Sequence, residues 1–353
     1  MQSMPVMYDL VVVGAGLTGA VLAYQLAEAG REVLVVEARD EIGGLSVHGC
    51  GLALLGLPGP YAALQEARGA EAAQRIWALT RRNLELLKAT AADLGVAVQR
   101  VGSFRPVGTG ADAEVLERSH ALLKEAGFDV ELDDATEIGM LIGLRTQEDV
   151  LFEPASLIAA LLGHPRVTLR TGMEVQALKD DGHHVDVWTR QYYLRAEKVV
   201  LAAGPHLVHL EPAMREVIVS AALNLVHCEA AGELVEPWVL DEGHTLLCRY
   251  GGQWRMGVCS RKPGEDPWET LLRMNERFLP DARVVKRHMG WIGRSLDGLP
   301  VVGQAPTFSS VYLVGGLGAW GASWVFVGAE SLCAFLEGEE TPEILQLNRF
   351  VSS

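Results

Sequence analysis

Residues 8–37 read YDLVVVGAGLTGAVLAYQLAEAGREVLVVE, and this stretch decides the fold. An apolar strand, Leu10 to Val13, runs into Gly14-x-Gly16-x-x-Gly19; a helix follows, and a second apolar strand, Val33 to Val36, ends in Glu37. Strand, glycine turn, helix, strand and terminal acid in this order make a βαβ cradle for a dinucleotide. Gly14 permits the tight turn, Gly16 lets backbone approach a pyrophosphate, and Gly19 allows helix and sheet to pack closely. The helix N-terminus adds free N–H groups and the positive end of its dipole. Glu37 is placed to accept from ribose hydroxyls.

The rest of the chain is too long to be one such unit. With 353 residues, 49% of them hydrophobic, 21% charged and 38 of them glycine, it reads as an α/β protein of two domains. The formal charge of −15 and the absence of any basic tract argue against nucleic acid or an anionic membrane surface as partner. No apolar run reaches the ~18 residues of a membrane span. The opening MQSMPVMYDL has neither a charged n-region nor a long apolar h-region, so no secretory leader is expected and the location expected is cytoplasmic. Cys50, Cys228, Cys248, Cys259 and Cys333 show no CxxC spacing and read as buried thiols, with no metal site implied.

Beyond Glu37 the chain leaves the βαβ pattern and twice returns to it. Residues 43–61 form a glycine-rich loop able to fold back over a cofactor. Residues 69–94 carry Ile76, Leu79, Leu84 and Leu87 at helical spacing. A strand pair is expected between Val96 and Pro106, then a helix from Ala111 to Ala126 and a short strand. Pro154 opens a helix, two strands return to the first sheet, and 186–188 with 191–194 alternate as an antiparallel hairpin. EKVVLAAGPH, 197–206, is a buried strand ending at Gly204, where backbone can lie against a ligand. Residues 215–290 give an antiparallel sheet with one helix, suited to covering a substrate; His227, His244 and His288 read there as packing or surface residues. The segment 291–306 is a polar turn and an apolar strand, and 311–338 is strand, glycine loop and helix. Gly316-x-Gly318-x-x-Gly321 matches the dinucleotide spacing again, but no strand with a terminal acid follows; its helix N-terminus suits a partially negative oxygen.

Three stretches together, VVVGAGLTGAVLAYQLAEAGREVLVVE, VVLAAGPH, and DGLPVVG followed by YLVGGLGAWGAS, resemble the flavin-dependent oxidoreductases of the D-amino-acid oxidase superfamily. That group includes glycine oxidases, sarcosine oxidases and dimethylglycine dehydrogenases, and the order and spacing cover most of the chain. The resemblance implies a Rossmann-like FAD-binding domain (1–82, 151–212 and 290–353) and an antiparallel-sheet substrate domain (83–150 and 213–289), a fold of class α/β plus α+β. It places the FAD pyrophosphate on Gly14, Ala15, Gly16, Leu17, Thr18 and Gly19, the adenosine ribose on Glu37 with Ala38 and Arg39, and the adenine on the backbone of Val175. Gly44, Leu45, Ser46, Ala203 and Gly204 would lie beside the cofactor, with Gly318, Ala319, Trp320, Gly321 and Ala322 at the isoalloxazine. SVHGCGL is similar to the (S/T)WHAAGL loop whose histidine is joined to flavin in some members, so FAD is expected non-covalently, with attachment through His48 as the alternative.

Two positions depart from the family pattern. An Arg commonly stands five residues before the Asp of DGLP and pairs a substrate carboxylate; here that offset holds Ile292, and Arg294 stands three before Asp297. Either the turn is two residues shorter or the anchor is lost. Where glycine oxidases carry a substrate-binding Tyr, this chain aligns Thr245, with Tyr250 offset. The expected activity is oxidation of the C–N bond of a small amine or amino acid, with Arg294 steering a carboxylate and Tyr250 and Trp320 walling the pocket. Oxygen or a separate acceptor takes the electrons, and the chain acts alone, as a homo-oligomer or in a dehydrogenase complex. A flavin-dependent 2-hydroxy-acid dehydrogenase and a non-catalytic flavoprotein subunit remain the other two readings.

Overall fold

The computed structural model describes residues 7–42, 44–231, 236–261 and 266–350. The reading of the first six residues as lacking a leader, and Gly43 of the glycine-rich loop, lie outside them. The chain divides into two compact units: Met1–Val47, Pro154–Ser220 and Trp291–Ser353 form the first, His48–Glu153 and Ala221–Gly290 the second. Residues 48–82, assigned above to the cofactor domain, count with the second unit.

The first unit is built on one eight-stranded sheet. Its parallel centre is Met7–Val13 between Val33–Val36 and Tyr193–Leu201, with Val167–Arg170 beyond the former and Val311–Gly315 beside the latter. Helix Leu17–Glu28 packs between Pro154–Leu162 and Val325–Leu336. The opposite face buries Val11, Val13, Leu34, Val36, Val199, Leu201, Val311 and Leu313 with Met173, Met214 and Ile218. Covered on both faces, these strands read as unbroken apolar runs. The expected hairpin and the VVLAAG strand differ from the observed elements in one respect. The second hairpin strand and the buried strand are a single strand, Tyr193–Leu201, whose first half pairs antiparallel with Val185–Thr189 and whose second half pairs parallel with the centre. It stops at Leu201, three residues before Gly204.

The second unit holds an eight-stranded and a three-stranded sheet. In the larger, Arg283–Ser295, Ile218–Glu229, Gln253–Cys259, Thr245–Tyr250, Trp238–Leu240, Ser103–Val107, Ile142–Thr146 and Val130–Asp134 follow in that order. Helix Trp268–Phe278 places Leu271 on Val226, Cys228, Leu247, Trp254, Met256 and Val258, covering one face. The strands expected as a pair between Val96 and Pro106 do form, as Val98–Arg100 and Ser103–Val107, but they do not pair with each other. The first joins Val150–Phe152 in the small sheet and the second joins Ile142–Thr146 in the large one. Between them Gly102 turns the chain at φ +65°, with its Cβ position 2.4 Å from the Thr146 carbonyl oxygen. Strand Arg283–Ser295 takes in most of what was read as a polar turn, and helix Tyr61–Arg68 was not anticipated.

Asp149 ties the second unit together from within. Fully buried, it accepts from the Leu55 N–H (2.7 Å), from Ser103 Oγ (2.6 Å) and from the Thr146 hydroxyl. Burial pushes its carboxyl above the usual range, opposed by the buried Arg105 guanidinium and these donors. Arg105 in turn donates to the carbonyls of Leu55 (2.7 Å) and Leu57 (3.3 Å).

Candidate functional site

Parallel pairing brings separated segments of the first unit to one sheet edge. Val36 pairs with Val13, Val13 with Leu201, and Leu201 with Leu313, so three strands end in register beside a fourth that runs on to Gly315, the row spanning about 14 Å at the usual strand spacing. Beyond that row come Glu37, Gly14, Ala202–Gly204 and the 315–318 glycines. Open α/β sheets bind ligands at this carboxyl edge.

The cradle is made by close backbone approach. Gly14 has φ +106°, and a Cβ there would sit 2.7 Å from the Ala202 carbonyl oxygen. At Gly19 a Cβ would lie 1.8 Å from the Gly14 carbonyl oxygen, so only glycine lets the helix begin so near the turn. Helix Leu17–Glu28 has Gly16 at its N-cap, no side-chain cap and no acid in its first turn, which leaves its positive end for a ligand. Past Glu37 the chain folds back: Ser46 Oγ lies 3.1 Å from the Cβ position of Gly16, and Arg39 Nη1 lies 2.6 Å from that of Gly44. This brings Ser46 against the glycine turn and Arg39 against Gly44.

Glu37 is buried and bonded within the chain. Its Oε2 accepts from the Ala15 N–H at 2.9 Å and its Oε1 from the Arg39 N–H at 3.1 Å. The acid thus fixes the glycine turn. Met173 N donates to the Glu37 carbonyl at 2.8 Å and Gly172 N to that of Arg39 at 2.7 Å. Val175, two residues beyond Met173, opens a strand at a bulge.

At the other end of the row the second glycine loop meets Arg294. Arg294 bridges Leu317, its Cγ is 3.7 Å from the Cβ position of Gly318, and Ser295 N donates to the Gly316 carbonyl at 3.1 Å. The Cβ position of neighbouring Gly293 lies 3.4 Å from the Gly204 carbonyl oxygen. Asp297 of DGLP clamps this turn, accepting from Arg349 Nε (2.9 Å) and Nη2 (3.1 Å). The expected helix N-terminus at Gly318–Gly321 is not there. Gly318–Ser323, including Ala319 and Ala322, is a 3-10 turn with a non-helical Trp320, and the α-helix begins at Val325. Positive φ at Gly316 (+72°) and Gly318 (+64°) turns the chain back on Ser295 and Arg294 before a helix can start. Trp320 is 4% exposed.

In the second unit, Tyr250 is half-buried beneath Arg255, whose guanidinium carbon is 5.0 Å from its ring centre. His48 ends a 3-10 turn, Ser46–His48, and its ring stacks on His288 at 3.5 Å. His227 and His288, read as packing or surface residues, therefore cluster with it. Nothing local in the sequence links positions 48, 227 and 288; neighbouring strands bring 227 and 288 together, and the turn Ser46–His48 brings 48 to them. None of the five cysteines is in a disulfide, and Cys333 alone is not buried. Among the described residues no helix is long and apolar enough to cross a membrane.

A family model described as FAD-dependent oxidoreductase, DAO, matches residues 9–334. Glycine oxidase of Pseudomonas aeruginosa is 26% identical over 328 residues, covering 86% of this chain and 88% of that protein. Among solved structures, L-proline dehydrogenase from P. horikoshii superposes with a TM-score of 0.81 at 18% identity, over 99% of both chains. Glycine oxidase from Geobacillus kaustophilus gives 0.79 at 19% identity, over 95% of this chain and 96% of that one. The chain belongs to the DAO family of FAD-dependent oxidoreductases.

Proposed function

We propose that the protein oxidises the C–N bond of a small amine or amino acid. The observation that carries this reading is Arg294 held against the Gly316–Gly318 loop at one end of the same strand-end row that begins with the Gly14–Gly19 cradle. The residues fit an FAD: Gly14, Ala15, Gly16, Leu17, Thr18 and Gly19 for the pyrophosphate, Glu37, Ala38, Arg39 and Val175 for the adenosine. Gly44, Leu45, Ser46, Ala203 and Gly204 run alongside, and Gly318, Ala319, Trp320, Gly321 and Ala322 form the flavin end. The flavin supplies an acceptor for hydride from the substrate carbon that bears nitrogen.

The chain's own part is positioning. Arg294 pairs a substrate carboxylate through its planar fork, fixing the adjacent C–H relative to the row. Arg294, three residues before Asp297, lies on the glycine loop, which favours a shortened turn over a lost anchor. A neutral amine gives up its α-hydrogen as hydride while the nitrogen lone pair forms the C=N bond, so no strong protein base is called for, and the imine product then hydrolyses with water. Relatives named for glycine and L-proline support an amino-acid substrate. FAD is held without a covalent bond in this reading.

The test is anaerobic mixing of the yellow protein with amines, amino acids of both hands, N-methylglycine and 2-hydroxy acids. Bleaching of the visible flavin band by an amine or amino acid is expected. Bleaching by 2-hydroxy acids alone, or by dithionite alone, overturns the proposal. Peroxide release in air then separates an oxidase from an enzyme that needs another acceptor, and acid precipitation that leaves yellow colour in the pellet would contradict the non-covalent reading.

A further inference from the structure

The histidine cluster of the second unit has a use that C–N oxidation does not require. His48 and His288 stack with centroids 3.5 Å apart and planes 8° from parallel. His227 meets His288 edge-on at 5.7 Å, and its Nε2 lies 3.3 Å from the His48 carbonyl oxygen. His227 and Arg255 are direct partners across two strands, and Cys248 is the partner of Arg255 on the next. This row of side chains alternates with the one that packs on helix Trp268–Phe278, so it belongs to the opposite face. Lys286 stands two residues before His288 on its strand and shares its face.

The charges in the cluster are lopsided. Glu153 is engaged by Arg255, with Nη2 donating to Oε2 at 2.5 Å and Nη1 to Oε1 at 3.5 Å, and Arg255 also donates to the Gly49 carbonyl at 3.4 Å. Also beside the cluster, among the described residues, are Tyr250 under Arg255, the buried thiols of Cys50 and Cys248, and Lys286. Burial holds all three imidazoles below the usual histidine range; beyond that, Lys286 weighs on each, His288 on His48 and His227, His227 on His48, and Arg255 on His227. Among the described residues, His288 Nε2 and Arg255 Nε are buried with no hydrogen-bond partner. Basic groups crowded together with buried nitrogens unsatisfied are costly unless something negative joins them. A cation is not that something. Among the described residues no group of His, Cys, Asp and Glu has metal-holding geometry, and parallel stacked rings keep their in-plane lone pairs from converging.

We propose that His48, His227 and His288, with Lys286 and Arg255, form a binding site for a small oxyanion of carboxylate or phosphate chemistry. The oxyanion accepts from ring N–H groups and from the nitrogens now without partners, and each imidazole that takes up a proton on binding becomes a donor at both nitrogens. Binding therefore tightens as pH falls, by about tenfold per pH unit for each proton taken up. His48 lies two residues after Ser46 of the cofactor loop, so an acidic group of the substrate and a free oxyanion are both sources of this chemistry.

Calorimetry of the flavin-loaded protein with malonate, and separately with inorganic phosphate, tests the site without turnover, so it decides the matter whether or not amine oxidation is found. Saturable binding is expected, about tenfold tighter or more at pH 6 than at pH 8, with heats that depend on the buffer's ionisation. His288→Asn should weaken it about tenfold, and Lys286→Met, at an exposed strand position that tolerates change, about threefold. Circular dichroism establishes that both variants are folded. No saturable heat at either pH, or binding indifferent to pH and to both substitutions, overturns the proposal. Competition between malonate and an amine substrate, with a substrate bearing a second carboxylate favoured and that preference lost in His288→Asn, identifies the acidic group as the substrate's own. Binding without competition identifies a free oxyanion, and either result supports the site.

Discussion

The two units commit to function by different means. In the first, the site is made of backbone: glycines at 14, 19 and 316 bring chain against chain, and the side chains around them are mostly small. In the second, the chemistry is in side chains that project from one sheet face, His227, Arg255 and Cys248 in a row with His48 and His288 beside them. At Gly14 and Gly19 such a site tolerates no added atom. A side-chain site tolerates substitution at the expense of a particular interaction.

Substitutions can break that contrast, and the largest effect is expected at Gly19. In Gly19→Ala the new methyl group would meet the Gly14 carbonyl oxygen at 1.8 Å, so the helix must lift from the turn, at a cost of about 4 kcal/mol or more. Urea denaturation should show that loss, and the purified variant should carry almost no flavin. In the second unit the most damaging change is Asp149→Ala. It leaves the Leu55 N–H, Ser103 and Thr146 without their acceptor and takes a negative charge from beside Arg105, costing about 3–4 kcal/mol. The melting temperature should fall while chains that remain folded keep their flavin; flavin lost in proportion would mean that the two units do not divide the work as described.

A third substitution sharpens the contrast within the cofactor unit. Arg294→Ala should lower kcat/KM for a carboxylated substrate by about 2–3 kcal/mol, roughly 30- to 150-fold, and leave a decarboxylated amine almost unaffected. Equal losses on both would remove Arg294 from substrate binding.

The smallest effect is a pH slope. His48, His227 and His288 have folded-state values depressed below the ordinary histidine range, so the stability they contribute is present above about pH 6.5 and is lost as pH falls through the lower folded values. Asp149 works the other way: its raised folded value contributes stability at low pH that is lost as pH rises through it. Thermal melts from pH 7 to pH 5 should therefore show a decline that His288→Asn flattens and that added phosphate reduces. An identical slope in the variant would contradict the assignment to these rings.

The same contrast explains what the sequence made legible. Strands 10–13, 33–36, 199–201 and 311–315 stood out because burial on both faces leaves no polar residue to interrupt them, and the glycine positions report the close approaches directly. Strand Arg283–Ser295 was hidden because its first five residues are all exposed and RVVKRH shows no alternation. The 98–107 segment looked like a hairpin because its two strands are adjacent in sequence, whereas Gly102 sends them to different sheets. In the C-terminal loop the glycine spacing was read as a helix start, but spacing carries no information on φ, and positive φ at Gly316 and Gly318 delays the helix to Val325. The histidines at 48, 227 and 288 meet only through tertiary structure, so a linear reading left them as isolated rings.

The account rests on one strand-end row that holds FAD, and the flavin content of the purified chain tests it most directly. One FAD per folded chain is expected, released into the supernatant by acid and taken up again by the apoprotein. A colourless chain that binds no added FAD would contradict the cofactor site and the function proposed on it.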